Sequence, residues 1–593
     1  GLQNLNFRDR GLPTLLVGGS FASWPYDVAY TPLGPDLSTP SARVSNVWSL
    51  ADNASYIWGR HNLKFGGEVR FVRLNATNEA LARGVLSFYS GDFVAFTGWP
   101  DVASIARVSP DFGGGFDRAF RSRALNGFLQ DQWRPASRFT VNYGVRYEFN
   151  QPPVEVHDRL VNFYPALGGL VRANSTTVLS PYFGDESLGT ASQPAPRAGF
   201  ESDRNNVAPH VGLALDPWGN GKTVVRAGYA VAYDQQPMEP SVGMLHNPPF
   251  VQQWFSYYPW FDLTDTFPQG FPQESILVDV NGDGIPSIWY QQPYSITARD
   301  PATRTSLVHQ LHGGIQQRLG NRAMFEVAYA GSLGRKLPRL RDISPCPPAA
   351  FIQTDGVACT PSIEDPFLFE SILNQENSAN SNFHSMLVRF DIRNLRGLQM
   401  RAHYQWAKAI DNASSAQPQV MVASPLVASF LTWENIINPE AFSGVNNISP
   451  ALSLRPELPI LTTRPRLPQD STNVAGERGR SDFDVRQRLV LHYVYDFPRW
   501  ERAKALGIGW QVAGVTTIQS GQPFTVFVDY FGIPLRPNQV SDVQINYDTP
   551  EAAIDNGVPL DCGRSTPCEG ITATSAFDLS PTWDLTPGSV GRN

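Results

Sequence analysis

Residues 139–149 read FTVNYGVRYEF: Phe139, Val141, Tyr143, Val145, Tyr147 and Phe149 are apolar or aromatic, and every residue between them is polar or glycine. Alternation with period two makes one face of a β-strand apolar and the other polar. The pattern recurs along the chain, and it recurs in pairs. Residues 46–58 precede 63–73 (LKFGGEVRFVR), and 125–134 precede 139–149. Residues 207–215 precede 224–233 (VVRAGYAVAY), 310–319 precede 323–331, 384–393 precede 398–408 (LQMRAHYQWAK), and 488–497 (RLVLHYVYDF) precede 509–519. The breaks inside each pair hold Gly, Asn, Asp or Pro, the residues that supply the backbone angles of tight turns, so each pair predicts an antiparallel hairpin.

Between one hairpin and the next lie connections of roughly 50 to 80 residues, where compact domains use a median of about 4 to 6. A soluble sandwich has water at both ends and no reason to make every second connection short and the others very long. A transmembrane β-barrel has short turns on the periplasmic side and long loops outside. Strand length agrees. Eleven residues at ~3.3 Å give about 36 Å, and a tilt near 40° leaves roughly 28 Å along the membrane normal, close to the ~25 Å apolar band of such barrels. The sequence therefore predicts an all-β chain, part of a large antiparallel transmembrane barrel of about 12 to 15 strands.

In that frame Phe139, Val141, Tyr143, Val145, Tyr147 and Phe149 face lipid, and Thr140, Asn142, Arg146 and Glu148 face the lumen. The opposite register would bring Arg146 to mid-membrane at a cost of about 2 to 4 kcal/mol. The same parity sends Arg226, Arg389, Asp391, Arg401, His403 and Gln405 inward, as candidate contacts for a solute. The competing reading of the same alternation is a water-soluble sandwich or propeller. No blade repeat of about 40 to 50 residues supports the propeller.

Composition narrows the classes further. Hydrophobic residues make up 42% of the 593, aromatics 12% and charged residues 17%, with 49 Gly and 49 Pro. An average soluble domain carries roughly 25% charged residues. The formal net charge of -7 offers no basic field for nucleic acid. The uncharged run 413–433 (ASSAQPQVMVASPLVASFLTW) is broken by Pro418 and Pro425 and fails as a spanning helix. Any membrane crossing is made by strands. The four cysteines fall as two local pairs, Cys346 with Cys359 and Cys562 with Cys568, placed as short loop-closing disulfides are in an oxidising compartment. Four cysteines allow three connectivities, and free thiols remain an alternative.

Several stretches resemble TonB-dependent receptors of the Oar-like outer-membrane barrel group. They are GRHNLKFGGEVRF at 59–71, NGFLQDQWRPASRFTVNYGVRYEF at 126–149, NNVAPHVGLALDPWGNGKTVVRAGYAVAYD at 205–234 and RGLQMRAHYQWAKAIDNAS at 396–414, joined by 476–498 and 509–526. The resemblance implies a single-chain barrel of about 22 strands holding a plug, placed in the bacterial outer membrane and energised through TonB. Against that pattern the chain shows no charged and apolar leader, no plug and no TonB box before the first strand, and no closing aromatic residue. It reads as an interior barrel fragment.

Three motifs invite chemistry. In DPWGNGKT the Gly-Lys-Thr suggests a phosphate loop, but the first glycine of that pattern falls on Asp216, and the segment joins two strands rather than a strand and a helix, so a hairpin turn is expected. Asp279, Asn281 and Asp283, with Gly284, have the early spacing of a calcium loop, although Tyr290 stands where the bidentate Glu would be. A solvated turn is the alternative, and no other cofactor is expected. The run PPFVQQWFSYYPWFDLT at 248–264 is either a stacking platform for a flat ligand or the packing of a long loop.

No H-E-x-x-H, C-x-x-C or G-x-S-x-G motif occurs, so no enzyme is expected. The leading function is an outer-membrane receptor that binds an unknown solute with its external loops and passes it through the barrel, with outer-membrane lipid and TonB as partners. The alternatives are a barrel-anchored adhesion protein and a soluble secreted carbohydrate-binding protein.

Overall fold

The computed structural model describes residues 14–17, 34, 41–78, 85–88, 102–108, 115–180, 187–235, 238–257, 277–278, 287–288, 290–291, 295–343, 371–414, 468, 473–498, 509–523, 528–530, 533–535, 538–539 and 577–578. Twelve strands form one continuous antiparallel sheet in chain order. They are β1 (Ser41–Trp58), β2 (His61–Asn78), β3 (Asp117–Ala136), β4 (Phe139–Asn150), β5 (Val207–Leu215) and β6 (Thr223–Tyr233). β7 (Leu307–Leu319), β8 (Ala323–Asp342), β9 (Ser371–Leu395), β10 (Leu398–Asp411), β11 (Gln487–Asp496) and β12 (Gln511–Gln519) complete it. Each strand pairs with the next, as an up-and-down barrel wall requires. Among the described residues β1 and β12 do not pair with each other.

All six expected hairpins are present, and some of them turn more tightly than the sequence suggested. Trp58 pairs with His61 and Leu395 with Leu398, leaving two-residue turns at 59–60 and 396–397. Arg396 and Gly397 both have positive φ, 52° and 88°, the pair of left-handed conformations that lets a two-residue turn follow the strand twist. A Cβ on Gly397 would stand 2.4 Å from the carbonyl oxygen of Asp496, so this turn accepts only glycine. In the β5–β6 turn the carboxylate of Asp216 accepts the backbone N–H groups of Gly219 and Gly221 at 2.9 and 2.8 Å. The residue that breaks the phosphate-loop pattern is the one that builds the turn.

The outer ends of the strands extend further than alternation predicted. β8 reaches Asp342 and β9 begins at Ser371, well beyond 331 and 384. Past the lipid band neither face touches hydrocarbon, so the chemical reason for alternation ends while backbone pairing continues.

The apolar face carries no second sheet. Leu129, Val145 and Ile315 are 53%, 40% and 54% exposed, and Leu125, Phe65, Val211, Leu213, Phe325, Val327, Trp406 and Ile518 are exposed with them. This continuous apolar surface excludes the sandwich reading, in which those residues would be buried against a facing sheet.

The buried core lies at the long-loop end instead. One cluster joins Leu74, Ala76 and Phe120 from β2 and β3 to Leu160, Ala173, Val242 and Met244. A second joins Val161, Phe163, Leu170, Phe250, Ile296 and Ala298 to Ile372 of β9. The four-stranded sheet built from Val161–Tyr164, Gly169–Arg172, Thr177–Leu179 and Ser187–Thr190 contributes to the second cluster, its flanking residues Leu160 and Ala173 to the first, and with residues 238–250 and 295–306 it forms a packed cap. The metal-loop residues Asp279, Asn281 and Asp283 and the four cysteines Cys346, Cys359, Cys562 and Cys568 lie outside the described residues.

Candidate functional site

The register places every inward residue read from the sequence on one face. Arg146 lies opposite Phe128 and Ala208, Glu148 opposite Asn126, and Arg226 opposite Ala214 and Gly314. On the far side of the wall Arg389 lies opposite Glu326 and His403, Asp391 opposite Arg401, and Gln405 opposite Leu387 and Arg488. Residues directly opposite each other share a face, so all of these line the inner wall.

Several charged residues of the wall are organised into pairs. Arg146 Nε donates to Glu148 Oε1 at 2.6 Å, and Arg70 Nη2 to Glu68 Oε1 at 2.8 Å, with Asn126 Nδ2 donating to the other Glu68 oxygen at 3.4 Å. Asp391 is nearly buried and takes Arg389 Nη2 at 2.5 Å and Arg401 Nε at 3.2 Å. With Glu326 directly opposite Arg389 on the same face, the two guanidiniums are matched by two carboxylates at that point of the wall. Arg226, Gln405 and His403 face the same lumen two strands or more from the Arg146 pair and do not join it. Near the short-turn end, Asn53, Ser55, Lys64, Phe128, Gln130, Arg146 and His210 line an open hollow of about 540 Å³. Its lining includes a lysine, an arginine and a histidine but no carboxylate, so it suits a polar or anionic group.

The cap supplies the residues that alternation could not reveal. Asn247 Nδ2 donates to the carbonyls of Val161 and Thr297 at 2.8 and 2.7 Å, while its Oδ1 accepts Thr297 N–H at 3.0 Å. Asn162 does the same for Arg299 and Gly199, at 2.7 to 2.9 Å. Each amide satisfies buried backbone groups that no strand partner reaches. Glu155 is fully buried. Desolvation raises its pKa, but the Arg159 N–H and guanidinium and the His157 N–H outweigh it and hold the carboxyl below its ordinary value.

Burial pushes the Tyr164 phenol up to about 12, and it lowers the Arg299 guanidinium, stacked 3.9 Å over Phe200, to about 9. Phe250 is buried with the guanidiniums of Arg118 and Arg172 5.5 and 5.3 Å from its ring centre. Within the aromatic run 248–264 it packs the loop and is not a ligand platform.

Two acidic residues of the outward face, Asp52 and Asp131, break the alternation. Asp131 shares the apolar face with Leu129 and Trp133, yet is only 4% exposed. Its Oδ2 lies 2.6 Å from His61 Nδ1 and accepts the Tyr143 hydroxyl at 2.9 Å, and His61 is stacked between Trp58 and Trp133. The aromatic belt near the short turns thus covers a carboxylate that could not stand bare in lipid.

Solved structures that match this chain include the outer membrane transporter YddB from Escherichia coli, at 10% identity, with 82% of this chain and 44% of that one covered and a TM-score of 0.41. The alcaligin outer membrane receptor FauA from Bordetella pertussis matches at 11% identity, over 81% of this chain and 47% of that one, with a TM-score of 0.31. Pseudomonas aeruginosa FpvA bound to heterologous pyoverdines matches at 11% identity over 81% and 41%, with a TM-score of 0.34. The chain spans less than half the length of each of these proteins. No curated relative matches it. The sequence model of the outer membrane beta barrel domain matches residues 3–447 and 459–593. The exposed apolar face, the paired charges of the inner wall and this match over nearly the whole chain agree, and the protein belongs to the outer membrane beta-barrel family of the bacterial outer membrane.

Proposed function

We propose that the chain is the barrel wall of a receptor of TonB-dependent type, which takes a polar solute at its cap and passes it along the inner wall by ligand-biased conformational change. The observation that carries this reading is the cap itself: its core is built on the inward-facing side chains Leu74, Ala76 and Phe120, so it overhangs the lumen. A solute approaching from outside would meet the cap first and then a wall of paired charges. The hollow beside Lys64 and Arg146 lies at the other end of the same route and suits an anionic or hydrogen-bonding group.

The test is uptake by cells carrying or lacking the full-length gene, with and without an active TonB complex, across a panel of labelled siderophores, oligosaccharides and peptides. The reading expects at least one solute whose uptake needs both. Uptake unchanged across the whole panel, with loss of cell adhesion in the deletion strain, would replace transport by an anchoring role.

A further inference from the structure

Three arginines stand together on the outward face where the apolar band ends. Arg73 of β2 lies directly opposite Arg121 of β3, and Arg123 lies two residues further along β3, opposite Phe71. Just below them on the same face are the exposed side chains Trp48, Phe71 and Leu125. On the next strand Phe149 lies opposite Leu125, and the guanidinium of Arg204, from the segment before β5, sits 6.0 Å over its ring. Apolar surface thus gives way within one or two residues to a crescent of positive charge.

Like charges directly opposite on one face of an antiparallel pair are destabilising. Here nothing within the described protein offsets them. Among the described residues none of Arg73, Arg121 and Arg123 forms an ion pair, whereas the inward-facing arginines 70, 146, 389 and 401 all do. Arg73 instead stacks 4.7 Å from the ring of Trp48, and Arg121 Nη1 donates to Asn75 Oδ1 at 3.0 Å and to the Phe120 carbonyl at 2.8 Å. These contacts orient the guanidiniums without neutralising them.

The height of the cluster says what can. Arg73, Arg121 and Arg123 lie 12 to 15 residues along their strands from the short turns. At ~3.3 Å per residue and a tilt near 40° that is roughly 30 to 38 Å, above an apolar band of ~25 Å and level with the headgroups of the outer leaflet. We propose that Arg73, Arg121 and Arg123 form a binding site for the phosphorylated headgroup of an anionic outer-leaflet glycolipid, whose acyl chains lie over Trp48, Phe71 and Leu125. Guanidinium forks suit phosphate oxygens, and the aromatic and aliphatic surface below suits the chains. The site needs only the outer-membrane location and stands apart from the transport reading.

The test uses the full-length protein extracted from outer membranes into an uncharged detergent. Retention of a bisphosphorylated lipid A-type glycolipid, of the same glycolipid without phosphates, and of inorganic phosphate is measured by native mass spectrometry. Saturable retention of the phosphorylated lipid alone is expected, weakened roughly 100-fold in the R73Q/R121Q/R123Q variant, about fivefold for each arginine. The corresponding triple lysine variant should retain most of the binding.

Heat-modifiable migration in gels reports assembly. If the triple glutamine variant does not assemble, Arg123→Gln, which removes an exposed side chain, should still lose about fivefold. Equal retention by wild type and either glutamine variant, equal retention of the dephosphorylated lipid, or equal affinity for inorganic phosphate alone would overturn the proposal.

Discussion

Asn247 holds three backbone groups of the cap through one side chain, and its removal strands all of them in a buried place. Each orphaned group costs about 1 to 3 kcal/mol, so Asn247→Ala is expected to destabilise the cap by about 2 to 4 kcal/mol while leaving the wall intact. Hydrogen exchange should show lost protection at residues 295–299 and unchanged protection in β4. His246 gives the cap a pH response. Desolvation, with the Arg118 charge, lowers its pKa to about 4, and its Nε2 is enclosed without a partner although part of the ring reaches the surface.

A histidine whose folded pKa lies below its unfolded value near 6.5 adds its full stability above that value and loses it as pH falls toward 4, a change of no more than about 3 kcal/mol. Cap protection should therefore decline between pH 6.5 and 4 in the wild type and much less in His246→Gln, by hydrogen exchange at fixed temperature. Residues such as Arg146, Arg389 and Asp391 were legible because parity alone fixes their face. Asn162, Asn247 and His246 were not, because their roles depend on partners 37 to 137 residues distant in the chain and on no local period.

At the scale of the strand, the turn end was legible and the outer end was not. Near the turns, lipid on one face and water on the other impose alternation up to the turn residues, and the hairpin pairs 125–134 with 139–149 and 207–215 with 224–233 meet the observed limits on the turn side within two residues. The outer part of β9, SILNQENSANSNF, has no apolar face and still forms strand, held by β8 and by Ser295–Arg299. Asp131 escaped parity for a different reason: the partners that make it tolerable, His61 and Tyr143, come from two neighbouring strands.

The two faces differ in what they accept. Val145→Arg should cost about 2 to 4 kcal/mol in vesicles, because it puts a guanidinium into hydrocarbon, whereas Asn142→Arg on the inner face should fall within about 1 kcal/mol of wild type. Denaturant titration of the protein folded in bilayers distinguishes the two.

For the whole molecule, the sequence reading anticipated unequal ends and a membrane-facing surface, and the structure adds that the described parts of the connections after β4 and β6 are packed. They bury a core of their own against the inner faces of β2 and β3 and against β9, so the protein has its packed interior at the outer mouth and an apolar surface around the wall. That inversion, apolar outside and polar within, is the claim on which the account depends, and spin labels along β4 of the full-length protein in its native bilayer test it directly. Labels at 141, 143, 145 and 147 should relax with oxygen, which partitions into lipid, and labels at 140, 142, 144 and 146 with a water-soluble nickel chelate. The same accessibility at odd and even positions, or the opposite alternation, would contradict it.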